Sequence, residues 1–235
     1  MILDAVKDLK VLVVGDAIID EYCYVTPLGK SIKDNMISVQ YRRKETFRGG
    51  VWAAAEHCRS FTQNVDVMIG PTITTNRRFV EEAYLRKLFV VHETQQVNFA
   101  PKKNFADYDL VIVTDFGHGC VTPNIIAELT ASKFLAVNTQ TNTSNYGFNL
   151  ITRYPRADFV VLDELEARLA AHDRYSKLED VILKLGFKRI IVTQGYLGAI
   201  GYDGEFTRQA AIASKVVDTM GAGDAFLCEI GRAHV

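Results

Sequence analysis

The chain has 235 residues, 48% of them hydrophobic and 23% charged, with a formal net charge of −1. That length and balance suit one large globular domain, with or without a small appendage. The near-neutral charge offers no electrostatic footprint for nucleic acid or an anionic membrane, and no apolar run approaches the roughly 20 residues that span a bilayer.

From the N-terminus, the sequence runs straight into an apolar stretch at Lys10–Val14, with no signal-peptide layout. Four further runs of the same kind follow: Asp109–Val113, Phe134–Val137, Asp158–Leu162 and Arg189–Val192. Each is continuous rather than alternating, the pattern of strands covered on both faces in a parallel sheet. Each ends in polar residues: Gly15-Asp16, Thr114-Asp115, Asn138-Thr139-Gln140, Asp163-Glu164 and Thr193-Gln194-Gly195. Helical patterns at Pro123–Ser132, Glu164–Ala171 and Lys177–Leu185 separate them. The rhythm predicts an α/β fold, a doubly wound and mostly parallel sheet flanked by helices, with ligands gathering at the carboxyl ends of the strands.

Two stretches differ. Ile37–Phe47 and Arg77–Glu93 mix β-formers with basic residues and suit exposed strands, predicting a small β-lid at about 22–48 and 72–98. Exposed strand edges often pair between subunits, so a homodimer through the lid is an expectation. Arg42, Arg43, Lys44, Arg77, Arg78, Arg86 and Lys87 read either as a solvated strand face or as contacts to an anionic substrate group such as a sugar phosphate. Cys23, Cys58, Cys120 and Cys228 are widely spaced without a CxxC, and read as reduced, packed thiols of a cytoplasmic protein. His118, in Phe116-Gly117-His118-Gly119, is the one histidine near candidate chemistry, and a loop or structural role is the simpler reading.

The most informative segment is Asp218-Thr219-Met220-Gly221-Ala222-Gly223-Asp224-Ala225-Phe226. Glycines in a turn that feeds a helix leave backbone N–H groups pointing into open space, and the helix dipole adds positive potential, which makes an anion site. Asp224 at its rim is placed to take a proton from a hydroxyl attacking phosphorus. An ordinary glycine turn capped by Asp is the plain alternative.

With this string and the strand order in hand, the chain resembles the ribokinase (PfkB-type) carbohydrate kinases from about Lys10 to Leu227, and within them the kinase module of heptose-phosphate kinases, often fused to a nucleotidyltransferase. The resemblance implies ATP and Mg²⁺ as cofactors, K⁺ as a candidate, and a sugar or sugar phosphate as the small-molecule substrate. It makes Asp224 the catalytic base and the N–H groups of Gly221, Ala222 and Gly223 the anion hole, with Asp218 near a monovalent-cation site. The opening Gly15-Asp16-Ala17-Ile18-Ile19-Asp20 matches the family's G-D-x-x-x-D; Asp20, with Asp16, is thereby a substrate contact. Gly49 and Gly50 match the pair that opens a helix near the lid and approaches the sugar. Trp52 and Glu56 depart from the family in the next turn. Asp163 and Glu166 match the N-x-x-E motif, Asp163 toward the nucleotide and Glu166 toward Mg²⁺ through water; capping of a helix start is the competing reading. Thr193, Gly195 and Gly198 match a turn beside the nucleotide phosphates.

Three further expectations concern the chain as a whole. The family carries additional helix and strand between Gly70 and Pro71, and continues well beyond the helix of Asp224. The final seven residues, 229–235, read as the translation of a common sequencing adapter, so 1–228 is expected to be an incomplete kinase domain with a non-native tail. The competing functions are a non-catalytic nucleotide- or sugar-binding module of this family and a dinucleotide oxidoreductase; the latter is disfavoured because no GxGxxG follows the first strand.

Overall fold

The computed structural model describes residues 6–97, 103–143, 145–212 and 221–231. Its sheet is built around β1 (Val11–Lys30), which pairs in parallel with β3 (Val65–Glu81) on one side and β5 (Leu110–Asp115) on the other. Beyond β5 come β6 (Leu135–Thr139), β7 (Phe159–Asp163) and β8 (Ile190–Thr193), all parallel, then a short antiparallel edge of β9 (Ala199–Tyr202) and β10 (Phe206–Gln209). The strand order is β10-β9-β8-β7-β6-β5-β1-β3 followed by β4 (Arg86–Gln96), and β2 (Ile37–Gly50) also pairs with β1. All five apolar runs are therefore strands of a mostly parallel α/β sheet.

Their continuity has a simple cause: both faces are covered. Leu12, Val14, Val111 and Val113 pack against α2 (Pro123–Leu129), α3 (Glu164–Ala171) and α4 (Leu178–Leu185). The alternate residues Val11, Val13, Leu110 and Ile112 pack against α1 (Val51–Arg59) and α5 (Ala222–Gly231). Local chemistry sets the helix ends. Thr122 caps α2 ahead of Pro123, and Gly186 ends α4 in the left-handed region. α2 is shorter than its expected span to Ser132, because Ala131 and Ser132 bond three residues back and wind the last turn tight.

The lid is not a separate appendage. β1 leaves the body at Ala17 and continues to Lys30, paired antiparallel with β2 and parallel with the outer half of β3, which in turn pairs antiparallel with β4. The lid thus begins earlier on β1 than expected; residue 98 lies outside the described residues. The Gly70-Pro71 junction falls inside β3, where the ladder with β1 shifts register: Gly15 faces Ile69, but Ala17 faces Ile73. Among the described residues no helix is long and apolar enough to cross a membrane.

Candidate active site

A cavity of about 570 Å³ lies between the lid and the carboxyl ends of the central strands. Strand alternation fills it from above: Ile18, Asp20, Tyr22 and Tyr24 of β1 point in, joined by Asn76 and Arg78 of β3 and His92 of β4. The intervening residues of β1 face away; Glu21 is held there by Lys44 at 2.7 Å and Arg77 at 2.6 Å, which keep its carboxyl below the usual range. From below come Phe116 and His118 after β5, Gln140 and Asn142 after β6, and Gly221 with Asp224 at the start of α5.

Asp224 is 5% exposed. Gln140 Nε2 donates to its Oδ1 at 2.9 Å. Burial, with the charge of Asp20 adding to it, pushes the Asp224 carboxyl up to about 7, against the lowering effect of the Gln140 bond. Gly221, Ala222 and Gly223 lead into and form the first turn of α5, where backbone N–H groups lack helical partners; a side chain at Gly221 or Gly223 would meet nothing within 4 Å. Asp218 lies outside the described residues.

Asp20 lines the cavity and is paired with Arg78, while Asn76 Nδ2 lies 3.5 Å from its Oδ1. Gly49, opposite Ile18 in the β1–β2 ladder, lies close enough that a Cβ there would sit 2.5 Å from Asp20 Oδ2. Gly50 has φ of 58° and would place a Cβ 2.3 Å from the Asp16 carbonyl, so both its backbone conformation and its packing demand glycine. Of the two positions that depart from the family, Glu56 is exposed and pairs with Arg59, and Trp52 packs beneath the Arg48 guanidinium at 5.6 Å; neither lines the cavity.

Asp16 is placed differently from the expectation. It does not line the cavity, because both its oxygens are consumed by backbone donors: Phe116 N at 2.9 Å, His118 N at 3.1 Å and Cys120 N at 2.9 Å. It is buried and shapes the 116–120 loop. Of the seven basic lid residues, Arg78 lines the cavity; Arg43, Lys44 and Arg77 pair with carboxylates elsewhere, and Arg42 bonds Thr26. Arg48 lines the cavity as well.

Asp163 and Glu166 form a reciprocal cap: Asp163 Oδ1 accepts from Glu166 N at 2.7 Å, and Glu166 Oε2 accepts from Asp163 N at 2.8 Å. The second oxygen of Glu166 accepts from Thr141 N at 3.0 Å. Burial, then the neighbouring Asp163 and Asp224, raise its carboxyl to about 7. Thr193, Gly195 and Gly198 stand further along the same edge, after β8, and do not line the cavity. Gly198 is fixed by packing, since a Cβ would sit 1.9 Å from the Gln209 carbonyl.

The structure adds residues that the sequence did not single out as a site: Gln140, Asn142, Arg48, Asn76 and His92. His118, read as a loop residue, also lines the cavity; its Nδ1 is buried without a hydrogen-bond partner among the described residues, and burial lowers its pKa.

The fold that carries this geometry has counterparts among known proteins. Residues 126–228 match the model of the pfkB family carbohydrate kinases. That segment covers under half of the chain, which has a ribokinase-type fold. It carries Asp163, Glu166, Thr193, Gly198 and Asp224, whereas Asp20, Gly49 and the lid lie outside the matched residues. No curated protein matches the chain. Among solved structures, a ribokinase from Arabidopsis thaliana complexed with ribose and ATP is 15% identical, with a TM-score of 0.65 over 96% of this chain and 86% of that one. Phosphofructokinase-2 from Escherichia coli is 12% identical, TM-score 0.67, covering 96% and 88%. A nucleoside kinase from Burkholderia thailandensis in complex with inosine is 14% identical, TM-score 0.64, covering 95% and 82%. At such identities the pfkB likeness to these structures is one of fold.

Proposed function

We propose that the chain, over residues 1–228, is an ATP- and Mg²⁺-dependent kinase acting on a hydroxyl of a sugar or sugar phosphate. The pfkB-family match and the ribokinase-type fold support a sugar or nucleoside kinase in general. The observation that carries the finer reading is Asp224: a buried carboxyl held near 7, at a helix N-terminus, facing Asp20 across a cavity large enough for a sugar. A base titrating near neutral pH is suited to proton transfer at that pH. Asp20, held by Arg78, and Asn76 orient the sugar hydroxyls, with Arg48 available to an anionic substituent. Asp224 accepts the proton of the attacking hydroxyl as its oxygen bonds phosphorus and the bond to the ADP oxygen breaks.

The residues present fit the phosphates, because the open backbone amides at Gly221–Gly223 form a cradle that side chains do not fill. Among the described residues no three acidic or metal-ligating side chains cluster to hold an ion. Mg²⁺ is commonly held through phosphate oxygens and waters with few carboxylates, and Glu166 is the residue we assign to ordering such waters. Bound there, the ion would neutralise phosphate charge. Asp163, Thr193, Gly195 and Gly198 are the proposed nucleotide contacts, Asp218 the contact to a monovalent cation such as K⁺. Pairing of lids into a homodimer and a cytoplasmic location complete the reading.

The test is ADP release with Mg-ATP over a panel of sugars, sugar phosphates and nucleosides. Asp224→Asn is expected to lower kcat by about 10²–10⁴-fold; a variant that keeps most of its rate removes Asp224 as the base. The Arg78–Asp20 pair, which occupies a sugar-binding carboxylate, favours a second reading as a non-catalytic binding module. Nucleotide binding without turnover on any acceptor would select it.

A further inference from the structure

Gln140 is the polar residue that follows β6, and the family resemblance assigns it nothing. In the structure its main chain is fixed from several sides. Its N–H donates to the Asp115 carbonyl at 2.8 Å, its carbonyl accepts from Asn145 Nδ2 at 3.3 Å, and the next residue, Thr141, donates to Glu166. A side chain leaving so constrained a backbone has few places to go, and it ends 2.9 Å from Asp224 Oδ1.

Among the described residues that is the one hydrogen bond the Asp224 carboxylate makes. Oδ1 is thereby held, and Oδ2 is left for an incoming hydroxyl. We propose that Gln140 is a positioning residue for Asp224: its amide fixes the rotation of the carboxylate so that one oxygen is presented to the cavity as proton acceptor. The inference rests on reading Asp224 as the base.

The residue type follows from what the alternatives would do. A lysine or arginine at this place would pair with Asp224 and pull its pKa far down, leaving a poor base. A carboxylate would repel it. A neutral amide orients the group and lowers its pKa only in part, against the larger upward push of burial and of Asp20 on β1. The other charged groups around Asp224 are already committed or set back: Arg78 of β3 is paired with Asp20, and Glu166 of α3 is tied to Asp163 and Thr141. Glu45, Arg48, His92 and His118 line the same cavity, while α1 packs its apolar Val51, Ala54 and Ala55 on the α5 side.

The test is a carboxyl ¹³C titration of Asp224, its resonance assigned by loss in Asp224→Asn, in the parent chain, Gln140→Leu and Gln140→Ala. Loss of the donor is expected to raise the Asp224 midpoint by about one pH unit. In whichever acceptor the panel identifies, the acidic limb of kcat/KM should rise with it while KM for ATP stays within about twofold. A midpoint unchanged in both variants overturns the proposal, and the smaller alanine guards against leucine disturbing the packing. A general structural role would lower the melting temperature without moving the midpoint. The titration needs no turnover, so a shifted midpoint in a protein inactive on every acceptor supports the hold by Gln140 and counts against the kinase reading alone.

Discussion

Asp224 and Glu166 are two buried carboxyls, each raised to about 7, and the charge of Asp224 adds to the difficulty of ionising Glu166. The consequence for stability has a definite sign. The ordinary aspartate value is 3.8, so between that pH and about 7 the folded chain holds a proton at Asp224 that the unfolded chain has lost. Stability therefore falls as pH rises through this window and levels off above it. Asp224→Asn removes the burden, and relative to the parent its stability should improve by roughly 2–4 kcal/mol between pH 4 and pH 8. Urea unfolding at the two pH values checks this; an equal difference at both would show that the carboxyl is not the cause. The Asp224 position was legible in the sequence because its neighbours are local: glycines before it and a helix after it. Gln140 was not, since its partner lies 84 positions away and no spacing rule connects them. The backbone hold on Asp16 was illegible for the same reason, as its three donors come from residues a hundred positions further on.

The junction between β2 and α1 shows how two adjacent glycines do different work. Gly50 is in the left-handed region and touches the Asp16 carbonyl, so Gly50→Ala strains backbone against backbone and should destabilise the fold by about 1–3 kcal/mol. Gly49 instead faces the flexible end of Asp20. Gly49→Ala should leave the urea midpoint close to that of the parent and weaken substrate binding as Asp20 is pushed aside. Denaturation and KM for the acceptor, measured on both variants, separate the two; equal loss of stability would contradict the assignment. Elements buried on both faces were readable, because no polar residue interrupts them. The outer part of β1 was harder. Asp20, Tyr22 and Tyr24 serve the cavity while Glu21, Cys23 and Val25 serve the other face, so neither face is cleanly apolar and the period of two is obscured. β9 and β10 escaped notice as four-residue strands, β10 at the sheet edge and exposed throughout.

At the scale of the whole molecule, exposed apolar side chains gather on the lid, among them Tyr41, Phe47, Phe89, Val90 and Val91. Lid pairing would cover them, and Val91→Glu should shift the chain toward monomer in analytical ultracentrifugation while leaving the melting temperature of the body nearly unchanged; an unaltered sedimentation profile would exclude this face as the contact. The sequence suggested a lid set upon a body, yet β1 and β3 pass from one to the other without a loop. Among the described residues these two strands give the lid no loop to swing on, so flexure is expected where the ladder is broken, beside Asp16, Gly70 and Thr72. These are the residues that grip the cavity floor: Asp16 through three amides of the 116–120 loop, Thr72 through the His118 carbonyl at 3.1 Å, and Gly70 by close packing on Cys120. Roof and floor share these contacts, so a ligand that bends the strands above it is expected to shift Phe116 and His118 beneath it.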